Sequence, residues 1–434
     1  MPYCSGTFDS LWVQLPNAWN WRGFLRNIPI LILGVLGSAA VSGAERHDLA
    51  AAARSILGAS QGVYVEAADG TALLAQSADN PVHPASVSKV PTTLALLRKF
   101  GPEHRFITTF TAGGPVIDGT LEGDLVVESD GDPDFVDENA LLVVERLNAL
   151  GVQRVAGNLR ARGALTFDWE VDTDGVRLRQ AMSGMAPPAA WAAVRELNSR
   201  NAPATDSPSL APPAIQFANA AGVAKADSAG VLVERPLIVH RSQPLLSLAK
   251  SLNDYSNNIF KPFADAAGGA AAVEYLARSC VPVDMRSEIT LGDGAGTDAR
   301  NRLSPRAAVK LLRALEQELA VTGHALTDVL PVAGIDEGTL RDRLNGPEEV
   351  GRVVGKTGTF GDYGASALIG AIPTSDRGTV YFAILNHGVR VNDARRRQDR
   401  FLRMLLTRLH SVQWNYQPDG RPAIARAEVA SAPR

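Results

Sequence analysis

The sequence predicts an α/β sandwich interrupted by insertions. Helical patterns lie near both ends, at 46–57 and 392–410, and they flank strand-like runs. The chain has 434 residues of which 45% are hydrophobic, enough for one large core or two to three smaller ones. A region of short strands and an Ala/Pro-rich stretch interrupt the pattern in the middle.

Taken in order, Arg22 and Arg26 precede an apolar run at 28–41, and small residues Ser42, Gly43 and Ala44 follow before Glu45. This is the pattern of a secretory signal, with cleavage expected near Ala44. Its apolar core is shorter than the roughly 20 residues that span a bilayer. Residues 1–44 are therefore expected to be a signal peptide, leaving an exported chain with no membrane span.

The first part of the main domain is expected at 45–105. It holds a helix at 46–57 and a hairpin of 62–67 and 71–76 around Asp69-Gly70. Pro81 and Pro84 then deliver the chain to Pro84-Ala85-Ser86-Val87-Ser88-Lys89 and an apolar helix that stops at Gly101. An inserted small β-containing unit and its Ala/Pro-rich linker occupy 106–229, around a helix at 138–150. The linker, 185–215, carries one helical piece at 191–197. The main domain resumes at 230–411. It has a strand at 232–239, helices at 244–253 and 299–319, and strands at 352–360 and 380–386 as neighbours in one sheet. A helix at 392–410 closes it, and 412–434 is expected to be a flexible tail.

Composition excludes several functions. The net charge is -3 with acids and bases intermixed, so no basic face suits nucleic acid. The run Arg395-Arg396-Arg397 sits between Asp393 and Asp399 and is expected to be a solvated helix face. Cys4 would leave with the signal, so Cys280 stands alone in the mature chain, without a disulfide. The seven histidines show no ligand spacing, and no metal or cofactor is expected.

The chemistry points to Ser86 and Lys89. A serine hydroxyl needs a neighbouring base, and residues three apart on a helix share a face. The helix N-terminus also favours a neutral amine and a developing oxyanion. Ser247 and Lys250 have the same spacing inside an ordinary helix, where they are expected to face solvent. Two further pieces follow Ser86. Ser256-Asn257-Asn258 brings a hydroxyl and an amide suited to proton relay and carbonyl binding, with Ser251-Leu252-Asn253 as a competing match. Lys356-Thr357-Gly358-Thr359 lies on an expected strand, where a cation and two hydroxyls can bind a carboxylate. Gly358 lets a ligand backbone approach. A phosphate loop is discounted because Gly351 lies one residue too close to Gly355.

SxxK, SxN and KTG in that order are the signature of penicillin-binding proteins and class A β-lactamases. The chain resembles the D-alanyl-D-alanine carboxypeptidase/endopeptidase family, the class C low-molecular-mass penicillin-binding proteins. Further stretches carry the likeness: GDLVVESDGDPDF at 123–135, SQPLLSLAKSLNDYSNN at 242–258, DGAG at 293–296 and LPVAGIDEGTLRDR at 330–343. The resemblance implies the penicillin-recognising DD-peptidase/β-lactamase-like α/β fold, a mainly antiparallel sheet covered by helices, with the inserted unit.

It also implies residue roles. Ser86 is the acylated nucleophile, Lys89 its base, Ser256 the proton relay and Asn258 the group that orients Lys89 and the substrate amide. Lys356, Thr357 and Thr359 bind the terminal carboxylate. The backbone N–H groups of Ser86 and Thr359 form the oxyanion hole. Peptidoglycan stem peptides are the implied substrates and β-lactams the covalent inhibitors, in the periplasm or cell envelope. Asn257 replaces the family's usual Asp, DGAG lacks a serine, and the insertion is shorter than in full-length members.

Alternatives are a serine β-lactamase or esterase on this fold, and a non-catalytic peptidoglycan binder. A class A β-lactamase requires a deacylating Glu in an ExxLN loop, whereas 341–345 has Arg341 in that place. A binder has no need of an activated nucleophile.

Overall fold

The computed structural model describes residues 43–201, 211–218, 235–255 and 260–432. Apart from Gly43 and Ala44, the expected signal peptide lies outside them, as do Ser256, Asn257 and Asn258. In chain order, α1 (Gly43–Leu57) leads into β1 (Gly62–Glu66), β2 (Ala72–Gln76) and α2 (Lys89–Phe100). Next come β3 (Ile107–Ala112), β4 (Leu125–Ser129), α3 (Asp137–Ala149), β5 (Leu159–Gly163) and α4 (Pro188–Asn201). They are followed by β6 (Arg235–Arg241), α5 (Leu245–Tyr255), α6 (Phe260–Ala266), α7 (Ala270–Ser279) and α8 (Pro305–Val321). The last part holds β7 (Val354–Phe360), β8 (Ala365–Pro373), β9 (Thr379–His387), α9 (Val391–Arg408) and β10 (Glu428–Ser431).

The main sheet has the order β7-β8-β9-β1-β2 and is antiparallel throughout. Strand alternation sends Tyr64, Tyr381, Ala383 and Leu385 to one face, where they pack with helices α2, α5 and α8. Val63, Val65, Phe382 and Ile384 point the other way, against Leu49 and Leu57 of α1 and Phe401 and Leu405 of α9. Helices thus cover both faces of a central sheet. Among the described residues no helix is long and apolar enough to cross a membrane.

Four expectations change. The strands at 352–360 and 380–386 are not neighbours, because β8 lies between them and pairs with both. Eight of its nine residues are buried, so ASALIGAIP lacks the alternation that marks a half-exposed strand. The helix expected from 299 starts at Pro305, where Ser304 accepts from the Ala307 N–H. Residues 188–201 form a longer helix than expected, with Ala190 and Val194 packed on Leu141 of α3.

The tail after Ser411 is also not loose. A second sheet of order β10-β6-β3-β4-β5 joins strands of the inserted region to β6, which the sequence places in the main domain, and to β10 of the tail, with β6 pairing β3 on one side and β10 on the other. β10 thereby satisfies the outer edge of β6. Nearer Ser411, the Trp414 N–H donates to Gly351 O at 2.8 Å, and Tyr416 Oη donates to Asp336 Oδ1 at 2.7 Å.

Candidate active site

The turn that carries Ser86 is a 3-10 helix, Ala85–Ser88, leading into α2 at Lys89. Ala85 adopts φ +49°, a left-handed conformation that is strained for a residue with a Cβ, at roughly 1–3 kcal/mol. The surroundings hold it there. A Cβ on Gly296 would overlap Ala85 O, and one on Gly358 would come within 2.6 Å of Pro84 O and 3.0 Å of Ser86 N. Two glycines, one from the DGAG loop and one from β7, clamp the backbone of the Ser86 turn. Gly358 was expected to admit a ligand, but what approaches it is the chain's own turn.

Both lysines of the motifs are wholly buried. Lys89 Nζ lies 5.0 Å from the centre of the Phe260 ring. Burial pushes its amine down to about 7, with the negative charge of Asp293 pulling the other way. Lys356 Nζ donates to Thr357 O at 3.1 Å. Burial holds this amine well below the usual lysine range, the positive charge of Lys89 adds to the effect, and Asp254 opposes it. Burial and mutual repulsion both disfavour two charges in this site, so the neutral form of an amine, the form a base requires, is favoured there.

The KTG strand is tied to the rest of the site by side chains. Thr357 Oγ1 donates to Thr339 Oγ1 at 2.8 Å, and the Thr339 N–H donates to Asp254 O at 2.9 Å. Thr359 Oγ1 accepts from Arg395 Nη2 of α9 at 2.9 Å. The structure thus brings Lys89, Lys356, Thr357, Gly358 and Thr359 around the Ser86 turn. Ser256 and Asn258 lie outside the described residues; of the described residues that flank them in sequence, Asp254 reaches β7 through Thr339 and Phe260 lies against Lys89.

The competing matches have other uses. Lys250 does not face solvent: its Nζ donates to Leu330 O at 2.6 Å and to Asp336 Oδ2 at 2.5 Å. Asn253 is buried and its Nδ2 donates to Val329 O at 3.0 Å and Thr93 Oγ1 at 3.2 Å. Both are packing devices of α5.

Four further residues touch the site without a local signal in the sequence. Arg395 belongs to a run expected to be solvated, and nothing local signals that it meets Thr359. Asp293 organises the DGAG loop by accepting from the N–H groups of Gly296 at 2.8 Å and Asp298 at 3.0 Å and from Asn301 Nδ2 at 2.8 Å. Thr92 Oγ1 of α2 anchors that loop through Gly294 O at 2.8 Å. His83 contacts the Ser86 turn through the Ala85 N–H. A serine on a clamped turn next to a buried amine of lowered basicity, with Lys356 and Arg395 at the KTG strand, is an arrangement suited to acyl transfer to a substrate that ends in a carboxylate.

Comparison with known proteins agrees with this chemistry. The model of the D-Ala-D-Ala carboxypeptidase 3 (S13) family matches residues 46–201 and 209–408. Carboxypeptidase DacB of Mycolicibacterium smegmatis is 26% identical over 373 residues, 78% of each chain. A penicillin G-acylated predatory endopeptidase from Bdellovibrio bacteriovorus, solved with an immunity protein, superposes with a TM-score of 0.72 at 21% identity. That match covers 86% of this chain and 99% of that one. Penicillin binding protein 4 from Haemophilus influenzae gives a TM-score of 0.55 at 18% identity, covering 85% of this chain and all of that one. These structural likenesses are of fold, the helix-covered antiparallel sheet that the resemblance implied.

Proposed function

The chain belongs to the D-Ala-D-Ala carboxypeptidase 3 (S13) family, and from that premise we propose that Ser86 is the residue acylated in its reaction. It is a serine-type DD-peptidase. Neutral Lys89 takes the hydroxyl proton as Ser86 Oγ adds to the carbonyl of the penultimate D-alanine. The oxyanion settles between the backbone N–H groups of Ser86 and Thr359. Collapse expels the terminal D-alanine, whose amine receives the proton by way of Ser256, while Asn258 orients Lys89 and the scissile amide. Water then hydrolyses the acyl-enzyme, and the scheme requires no metal or organic cofactor.

Substrate recognition falls to Lys356, Thr357 and Thr359, with Arg395 adding positive charge at Thr359. An arriving carboxylate favours the charged form of Lys356. A charged Lys356 in turn disfavours a proton on Lys89, so substrate binding itself prepares the base. A β-lactam offers the same carboxylate and a strained amide, and it acylates Ser86. The substrates, peptidoglycan stem peptides, place the working enzyme in the cell envelope, in keeping with the signal pattern at 1–44.

What carries this reading is one juxtaposition, the Ser86 turn clamped by Gly358 beside two wholly buried lysines. The test is the intact mass of the purified chain after incubation with a penicillin, followed by peptide mapping. A stable adduct on Ser86 that is absent in Ser86→Ala supports the reading. Rapid antibiotic loss without an adduct would point to a β-lactamase, and neither adduct nor loss, in folded protein, to a binder. Release of free D-alanine from a pentapeptide, set against opening of a cross-linked dimer, separates carboxypeptidase from endopeptidase action.

A further inference from the structure

We propose that His83 is a positioning residue for Ser86, holding the nucleophile's turn through a hydrogen bond that exists only while its ring is neutral. The inference rests on Ser86 being the acylated residue. The Ala85 N–H donates to His83 Nδ1 at 3.1 Å, so Nδ1 carries no proton. The other ring nitrogen, Nε2, lies 3.0 Å from the carbonyl of Asp298 and must donate to it. Together the two bonds select one neutral tautomer. The ring also stacks on Phe360 of β7, with centroids 3.9 Å apart and 21° between the planes. One imidazole thus joins the Ser86 turn, the DGAG loop and the KTG strand.

Its position explains how the strained turn is kept. Ala85 is wholly buried at φ +49°, and its amide has His83 as acceptor. A proton on Nδ1 would set N–H against N–H and free the turn to relax, moving Ser86 Oγ away from its base. Neither ring nitrogen is open to a substrate proton, so His83 acts through the turn and not on the substrate. The charged groups around the ring act in opposite directions. Asp293 and Asp298 of the DGAG loop favour the imidazolium, Arg302 opposes it, and Asp298 is itself paired with Arg300. Phe360, on the stacked face, carries no charge. Burial dominates and lowers the basicity of the ring, so the neutral form persists through the neutral range and is lost on the acid side.

Acylation of full-length protein by a fluorescent penicillin, followed between about pH 5 and 8, tests the inference. His83→Asn keeps a local acceptor for the Ala85 N–H, as in an Asx turn, but cannot titrate. His83→Phe keeps a stacking ring and loses the acceptor. The wild type should show the acid limb of Lys89 and, at lower pH, a further fall of about tenfold, the rate equivalent of one hydrogen bond. His83→Asn should show the lysine limb alone. His83→Phe should already be about tenfold slower at pH 8, also with the lysine limb alone. Parallel profiles for wild type and His83→Asn, or full activity of His83→Phe at pH 8, would overturn the proposal while Ser86 remained the labelled residue. Labelling elsewhere than Ser86 would remove its premise.

Discussion

Two serine–lysine pairs in this chain share one spacing and live in opposite surroundings. Lys250 of α5 keeps its charge satisfied by Asp336 and Leu330 O, and its side chain is 15% exposed. Lys89 is wholly buried against Phe260, and burial outweighs the pull of Asp293. In the first pair the ammonium is an asset to folding. In the second, the molecule tolerates an unfavourable place for a charge, and the amine is eased toward the neutral form that the proposed base role requires. The spacing is silent on which is which; the carboxylates placed around each amine by distant parts of the chain decide it.

Substitutions at the two sites should therefore separate activity from stability. The largest effect is expected at the serines: Ser86→Ala should lower hydrolysis by about 10⁴-fold or more and abolish the penicillin adduct, whereas Ser247→Ala should leave both unchanged. Mass spectrometry and D-alanine release read the difference. Lys89→Met should slow acylation by about 10³-fold. It should also raise the free energy of unfolding near neutral pH by about 2 kcal/mol, since an apolar side chain suits that place better. Lys250→Met should do the reverse, leaving acylation intact and lowering stability by about 3 kcal/mol as Asp336 loses its partner. Urea melts and labelling rates on the same samples check both.

The pH dependence sharpens the comparison. The folded value for Lys89, about 7, lies below that of an unfolded lysine, so unfolding takes up a proton between the two. Stability owed to this residue is lowest below about pH 7 and recovers as pH rises toward about 10. The advantage of Lys89→Met should shrink over that window. Acylation should fall about tenfold per pH unit below about 7, as the base is lost. A smaller effect is expected from Gly358→Ala, which must displace the Pro84–Ser86 backbone and should slow acylation by about tenfold with the lysine limb in place. Arg395→Ala should be mildest, raising KM for carboxylate-ended peptides about threefold with kcat held. A larger change in kcat would make Arg395 part of the chemistry.

What the sequence made legible was whatever is encoded locally. Ser86 and Lys89 stand three apart, and the KTG run sits on a strand marked by its own residues. The amphipathic helices were visible because each keeps an exposed face. β8 was not, because a strand buried on both sides has no polar alternation to reveal it. Arg395 and His83 were missed for another reason. Each gains its meaning from a partner that the fold supplies, Thr359 from 36 residues away and the Asp298 carbonyl from 215. The tail looked loose because its Ala, Pro and Arg content describes β10 poorly, and only the open edge of β6 makes a strand of it.

The pairing of β1 with β9 joins Gly62 to Leu385. A chain emerging from the ribosome in order has exposed Ser86 and Lys89 long before the strand that clamps them exists, and the sheet cannot close until β9 has been made. Until then Lys89, open to water, has the ordinary basicity of a lysine and stays charged at neutral pH, unfit for the base role proposed for it. On the proposed assignment the nascent protein carries Ser86 as an inert alcohol, and hydrolytic power arrives only with the last strand of the sheet.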